Sequence, residues 1–327
     1  MKRSKAFAAL LALLLLTAFW SVPVSGSPLA ADHSCISQFD SIPLSVVQQI
    51  TSGYDIYYVH TSHGSQIMTG IYMVYDEDNS YLPPDFYEVG SDLGHYGDTS
   101  WAPGTRVYLN ANPECNMAMF SWCGGVSDNT EEGINAYLSK MEELEAAYPL
   151  VKFIYMTGHL DGSGPSGNLY IRNNQIRAYC ASHDKTLFDF ADIESYDPDG
   201  NYYPDESDYC QWCYDWCQTH SCPDCGDCAH SHCFNCYQKG KAWWWMMARL
   251  SGWTPQPIEE ICGDANRDGF IDIDDVVFLI QYIFAGGPAP NPYWVGDASM
   301  DDFIDIDDVV WLIMYVFAEG PEPCSKK

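Results

Sequence analysis

Two periods of hydrophobic and polar residues alternate along this chain, and the switches between them divide it into elements. The run YDIYYVH, from Tyr54 to His60, is rich in aromatic and β-branched residues and predicts a buried strand. MAMFSW (117–122), VKFIYMT (151–157) and TLFDFADI (186–193) share its length and character and predict three more. Residues 129–148 and 169–183 have helical character, and Thr130, Glu131 and Glu132 supply a start signal for the first of these helices. KAWWWMMARL predicts an apolar helix ending near Leu250. From Tyr75 to Asn112, Gly, Pro, Tyr and Asp accumulate without a sustained period, which predicts a long loop or insertion over one end of the fold. Strands separated by helices of this length argue for the α/β class, a three-layer doubly wound parallel sheet spanning residues 32–252. Such sheets hold their chemistry beyond the carboxyl ends of the strands.

A different pattern closes the chain. GDANRDGFIDIDDVV from Gly263 returns as GDASMDDFIDIDDVV from Gly296, and each copy runs into an apolar stretch of helical length. Within each copy, oxygen-bearing residues fall at alternate positions: Asp264, Asn266, Asp268, Phe270 (through its carbonyl), Asp272 and Asp275, then Asp297, Ser299, Asp301, Phe303, Asp305 and Asp308. This is the ligand spacing of an EF-hand calcium loop, in which hard oxygens converge from a tight turn. Asp302 occupies the sixth position of the second loop, where Gly makes that turn most easily, so the second site is expected to bind more weakly.

Two loop-and-helix units of this kind resemble a type I dockerin, over Cys262 to Cys324. The resemblance implies a small all-α calcium-binding module at residues 262–324, a cohesin on a scaffold protein as partner, and a bond between Cys262 and Cys324, because the ends of a dockerin lie close together. Ile273-Asp274 and Ile306-Asp307 stand at matching places, which would allow docking in two orientations. The linker before it covers residues 253–261.

Composition narrows the setting. Met1 to Gly26 has a basic start, an apolar centre and a small-residue end, the pattern of a secretory signal peptide. No later stretch reaches the roughly 20 apolar residues of a membrane span. A net charge of -30 argues against nucleic acid or an anionic membrane as partner. The expectation is therefore a secreted, extracellular protein. Of its 14 cysteines, eight lie between Cys210 and Cys236, including CQWC, CPDC and CFNC, with His220, His230 and His232 nearby. That cluster suits either disulfides or a structural zinc ion. Cys35, Cys115, Cys123 and Cys180 are scattered, and their pairing is left open.

The order of motifs in the larger domain resembles an SGNH, or GDSL-like, hydrolase, whose fold is flavodoxin-like. Ser62 in HTSHG follows the first strand, SWCGGVSDNT follows the second, and FIYMTGHLDG ends the third; Asp227-Cys228-Ala229-His230 precedes the last helix, with His232 beyond it. The resemblance implies a serine esterase: Ser62 as nucleophile, His230 or His232 as base, Asp227 as its orienting carboxylate, and an oxyanion site near Gly124 and Gly125 with His159. GHLD stands where the family has G-x-N-D, so the oxyanion Asn is replaced. Ser62 has a plainer reading as a helix cap. Together with the dockerin, the resemblance implies polysaccharide as substrate. Two other readings are a metal-dependent hydrolase using His60, His63, His159 and Asp161, and a non-catalytic carbohydrate-binding or structural subunit. Tyr96 and Trp101 are candidates for a sugar-stacking surface.

Overall fold

The computed structural model describes residues 28–255, 260–267, 269–318 and 320–325. The segment read as a signal peptide, part of the expected linker and Asp268 lie outside them. The larger domain is built on one six-stranded parallel sheet: β1 (Ala30–Ala31), β2 (Asp55–His60), β3 (Asp85–Gly90), β4 (Met117–Phe120), β5 (Lys152–Met156) and β6 (Leu187–Phe188). Their spatial order is β1-β6-β5-β4-β2-β3, and every pairing is parallel. Leaving aside β1 at the edge, this is the flavodoxin-like order. After β2 the chain crosses to β3 on one side, then returns past β2 to β4 on the other. Connections therefore diverge at the carboxyl ends of β2 and β4, which opens a crevice there.

Helices cover both faces. α1 (Leu44–Gly53) and α2 (Ser62–Glu77) pack with the last helix of the domain; α3 (Trp101–Ala111), α4 (Glu131–Ala147) and α5 (Asn168–Ser182) pack with one another. Shorter helices α6 (Phe190–Ser195) and α7 (Gln211–Trp216) precede that last helix, α8 (Cys233–Leu250). β2 and β4 are buried along almost their whole length because both faces are covered, so their sequences read as continuous apolar runs.

The tightest seam is between α2 and α8. A Cβ on Gly70 would stand 1.8 Å from the Cys236 carbonyl oxygen, and one on Gly240 would stand 2.2 Å from the Gly70 carbonyl carbon. Backbone therefore meets backbone at this crossing. Gly70→Ala is expected to force the helices apart and destabilise the domain by about 3 kcal/mol, the upper part of the range for overpacking, read as a lowered urea midpoint.

Two expectations are corrected. Residues 75–112 are not one loop: they contain β3 and α3. β3 is an edge strand with mostly exposed or half-buried residues, so it lacks the apolar run that marks the inner strands. Residues 186–193 are a strand only at Leu187–Phe188, because the Asp189 carboxylate accepts the Asp192 N–H and starts α6. The lead-in before β2 also holds β1, a 3-10 helix (His33–Ser41) and α1, none of which the periodicity singled out.

The C-terminal segment has its own small core, formed by Ala265, Val276, Leu279, Ala298, Ile304, Val309 and Leu312. Helices α9 (Ile273–Ala285) and α10 (Ile306–Ala318) pack together above two loops of matching design. Among the described residues, no helix is long and apolar enough to cross a membrane.

Candidate functional site

The crevice between β2 and β4 is where ionisable side chains gather. Ser62 is the first residue of α2, immediately beyond β2; Thr61, with φ -131°, is the residue that caps the helix. The plainer reading of Ser62 as the cap is thereby excluded, and its hydroxyl instead lies 3.2 Å from Cys123 Sγ. Gly64 allows α2 to start this close to the sheet, since a Cβ there would lie 2.4 Å from His60 Cβ and 2.8 Å from Ser121 Cβ. Cys123 comes from the turn after β4, and its own N–H donates to Asp92 Oδ1 at 3.3 Å.

His63 joins the elements. Its Nδ1 lies 3.3 Å from Cys123 Sγ and its Nε2 lies 2.9 Å from Asp208 Oδ2. The carboxylate fixes the tautomer: Nε2–H donates to Asp208, which leaves Nδ1 with its lone pair toward the thiol. Burial lowers the His63 pKa to about 4, the neighbouring His159 adds to that effect, and Asp208 opposes it. Asp208 is held by its backbone, whose N–H donates to Leu160 O at 3.1 Å, while Asp161 pairs with Ser207 in the same stretch. The β5 loop and the segment before the cysteine cluster are thus stitched together under the imidazole.

His159 lies parallel to His63, with ring centroids 3.6 Å apart and planes 1° from parallel. The His230 ring stacks 4.7 Å from His63. His232 is not at the crevice centre: its Nδ1 accepts the Phe234 N–H at 3.1 Å and caps α8, so that nitrogen is engaged. Asp227 is exposed on the cysteine-rich loop, and the carboxylate bonded to a crevice imidazole is Asp208. Gly125 is a packing glycine, because a Cβ would stand 2.3 Å from Leu93 O; Gly124 has ordinary room. The first-turn amides of α2 precede Ser65, whose N–H donates to Thr61 O at 3.1 Å, so they point free of their own helix.

Of the metal-hydrolase set, His63 and His159 come together, and the third ligand atom near them is a carboxylate oxygen of Asp208. Their ligand atoms lie within 4.8 Å of one another. His60 instead bonds Glu88 Oε2 at 2.9 Å, and Asp161 accepts the Ser163 N–H at 2.9 Å. Parallel rings at this separation keep their lone pairs in parallel planes. An ion about 2.1 Å from one nitrogen therefore lies well out of the plane of the other, so the imidazoles as stacked suit a base better than a chelate.

The eight cysteines of the insert form four disulfides, Cys210–Cys213, Cys217–Cys222, Cys225–Cys233 and Cys228–Cys236. With these sulfurs bonded, the zinc alternative has no thiolate ligands. Cys262 and Cys324 are also bonded. Cys35, Cys115, Cys123 and Cys180 are free thiols; Cys123 is half-buried and the other three are buried. Sequence reasoning missed Cys123 and Asp208 as site residues. Trp101 is buried against Phe120 and Tyr137, which removes it as a sugar platform, whereas Tyr96 is exposed.

Among the described residues, the two C-terminal loops share three hydrogen bonds at matching positions. Asp264 accepts Gly269 N–H and Asp297 accepts Asp302 N–H, both at 2.9 Å. Asp275 accepts the amides of Asn266 and Asp272, and Asp308 those of Ser299 and Asp305. Asp302 takes φ 72° where Gly269 takes 93°, so the second loop keeps its turn with a residue less suited to it. Asp264, Asp275, Asp297 and Asp308 are buried, and burial raises the Asp308 pKa. Buried carboxylates converging on one loop centre suit a hard divalent cation, which would offset their charge.

No family model matches the chain, and no curated protein is significantly similar to it.

Proposed function

We propose that this protein is an exported ester hydrolase, similar in strand order to the SGNH family, that removes acyl groups from polysaccharide. In this reading a C-terminal dockerin, with calcium in two loops, tethers it to a cohesin-bearing scaffold protein. One observation carries the catalytic part: a single imidazole, His63, is bonded at one nitrogen to a thiol and at the other to a carboxylate, in the crevice where this sheet's connections diverge. His63 accepts the Cys123 proton and Sγ attacks the acyl carbonyl. The first-turn amides of α2 and the Gly124-Gly125 turn face the developing oxyanion. His63 then gives that proton to the departing sugar oxygen as the acyl C–O bond breaks, so the sugar leaves with a free hydroxyl. Water, deprotonated by His63, cleaves the thioester and releases the carboxylic acid, with the thiol restored.

A second reading keeps Ser62 as nucleophile. It is favoured by the 3.2 Å separation of its hydroxyl from Sγ and by its place at the start of α2, where the SGNH resemblance assigns the role. Both readings share His63 as base and Asp208 as its partner, in place of the Asp227 with His230 or His232 that the resemblance implied.

Aryl-acetate hydrolysis by the full chain tests these assignments. Cys123→Ala is expected to reduce kcat by about 10³-fold or more and Ser62→Ala by less than about tenfold. The opposite ranking would return the role to Ser62. Full activity in both variants, with loss on metal removal, would favour the metal-dependent alternative; glycan binding without turnover of any ester would favour a binding subunit. Chelation is expected to loosen the C-terminal segment, seen as lost protection of the α9 and α10 amides from hydrogen exchange, while ester hydrolysis continues. Retained protection in excess chelator would remove the calcium role.

A further inference from the structure

Tyr96 combines three properties that rarely coincide. Its ring is 83% exposed, its backbone is left-handed at φ 51° and ψ 32°, and its loop is fastened to the turn that carries Cys123. The left-handed conformation is disfavoured for an aromatic residue, so it persists only where surrounding structure enforces it. That structure is visible on each side. Gly94 at φ 67° lies against Trp122, where a Cβ would stand 2.5 Å from the indole, and Gly97 at φ 78° lies against Gly133. The buried Asn129 amide donates to Gly94 O at 2.7 Å and also to Gly125 O, joining the two loops through one side chain. His95 is bonded at both nitrogens, to Asp92 Oδ2 at 2.7 Å and to Asp128. Asp92 in turn accepts the Cys123 N–H through its other oxygen. Asn129 and the Asp92–His95–Asp128 chain therefore hold the Tyr96 backbone beside the turn that carries Cys123, with its ring out in solvent.

An exposed ring on a backbone held this firmly has little to do with the core. Such a ring does suit the C–H face of a pyranose, which packs on an aromatic surface at less entropic cost when the backbone that carries the ring is already fixed. The surrounding charge selects among sugars. Asp128 accepts the Tyr96 N–H, Asp92 bonds the adjacent His95 and Asp98 follows two residues on, in a chain of net charge -30, which disfavours uronate polymers and leaves neutral acylated pyranosides. We infer that Tyr96 is the stacking platform of a substrate subsite for a neutral pyranose ring next to the Cys123 centre. This rests on the ester-hydrolase reading and supplies its substrate class.

The test compares the full chain with Tyr96→Ala and Tyr96→Phe on 4-nitrophenyl acetate and on acetylated xylo-oligosaccharides. Tyr96→Ala is expected to raise KM for the oligosaccharide about three- to tenfold, the size of one lost aromatic contact, with kcat/KM for the aryl ester unchanged. Tyr96→Phe should stay near wild type on both. An equal change on both substrates, or none on the oligosaccharide, would overturn the inference. Should the wild type hydrolyse no ester, the hydrolase reading fails by itself. Titration of deacetylated xylo-oligosaccharide then decides the subsite alone: affinity weakened by Tyr96→Ala keeps it, and absence of binding overturns it.

Discussion

His63→Ala is expected to lower kcat for aryl-acetate hydrolysis by about 10³-fold, within the range for loss of a general base, whichever of Cys123 and Ser62 is the nucleophile. The imidazole is the one group that touches both the thiol and Asp208, so no neighbour replaces it. The pH profile carries an independent signature. Burial, with His159 beside it, holds the His63 pKa at about 4, below its ordinary value of 6.5. The neutral, proton-accepting form therefore persists down to about pH 4, and the acid limb of kcat/KM should fall there instead of near 6.5. The same depressed pKa acts on stability. Its contribution is fully present above 6.5 and is lost as pH falls through 4, because the unfolded chain takes up the proton first. An acid limb centred near 6.5 would mean that His63 is not the base.

A second large effect is expected behind the site. Lys239 Nζ is fully buried between Glu194 Oε1 at 2.7 Å and Gln66 Oε1 at 2.5 Å, and it lies 4.1 Å over the Phe190 ring. Burial pulls its pKa down, and Glu194 works against that shift. From this pair, hydrogen bonds reach the loops of the crevice. Glu194 Oε2 accepts the Leu160 N–H at 2.7 Å, Leu160 O accepts the Asp208 N–H, and Gln66 Nε2 donates to Ala229 O at 2.5 Å, one residue before His230. Lys239→Met leaves the Glu194 carboxylate buried without its cation and is expected to destabilise the domain by about 3–5 kcal/mol. The double variant Lys239→Met with Glu194→Leu should recover most of that in urea melts, since an apolar replacement of a buried pair is often neutral. Activity should stay low in the double variant, because the Leu160 amide would still lack its acceptor. Recovery of both together would show that the pair has no part in placing the site.

The sheet was legible where burial on both faces writes a continuous apolar run, as in Tyr54 to His60 and Val151 to Thr157. It was illegible at β3, whose exposed edge permits Asp and Glu, and at β1, which is too short to show a period; β6 was read, with bounds wider than Leu187–Phe188. The same limit applies to the site. Ser62, His63 and His159 follow strands directly, and strand ends can be read along the chain. Asp208 reaches His63 from 145 positions away, by a backbone path through Leu160 that no local pattern encodes. Cys123 was obscured by number, since a chain with 14 cysteines offers many pairings and only folding leaves this one unpaired. The C-terminal loops were the most readable part, because ligand spacing is itself a local property.

The cysteine-rich insert bears on how the crevice keeps its shape. Asp208 lies two residues before Cys210, and His230 lies between Cys228 and Cys233, so both groups that flank His63 from this region hang on disulfide-tied chain. Reducing those bonds would loosen the chain beside both neighbours of His63 at once, and the Asp208 N–H bond to Leu160 O would be left to hold the carboxylate against the imidazole.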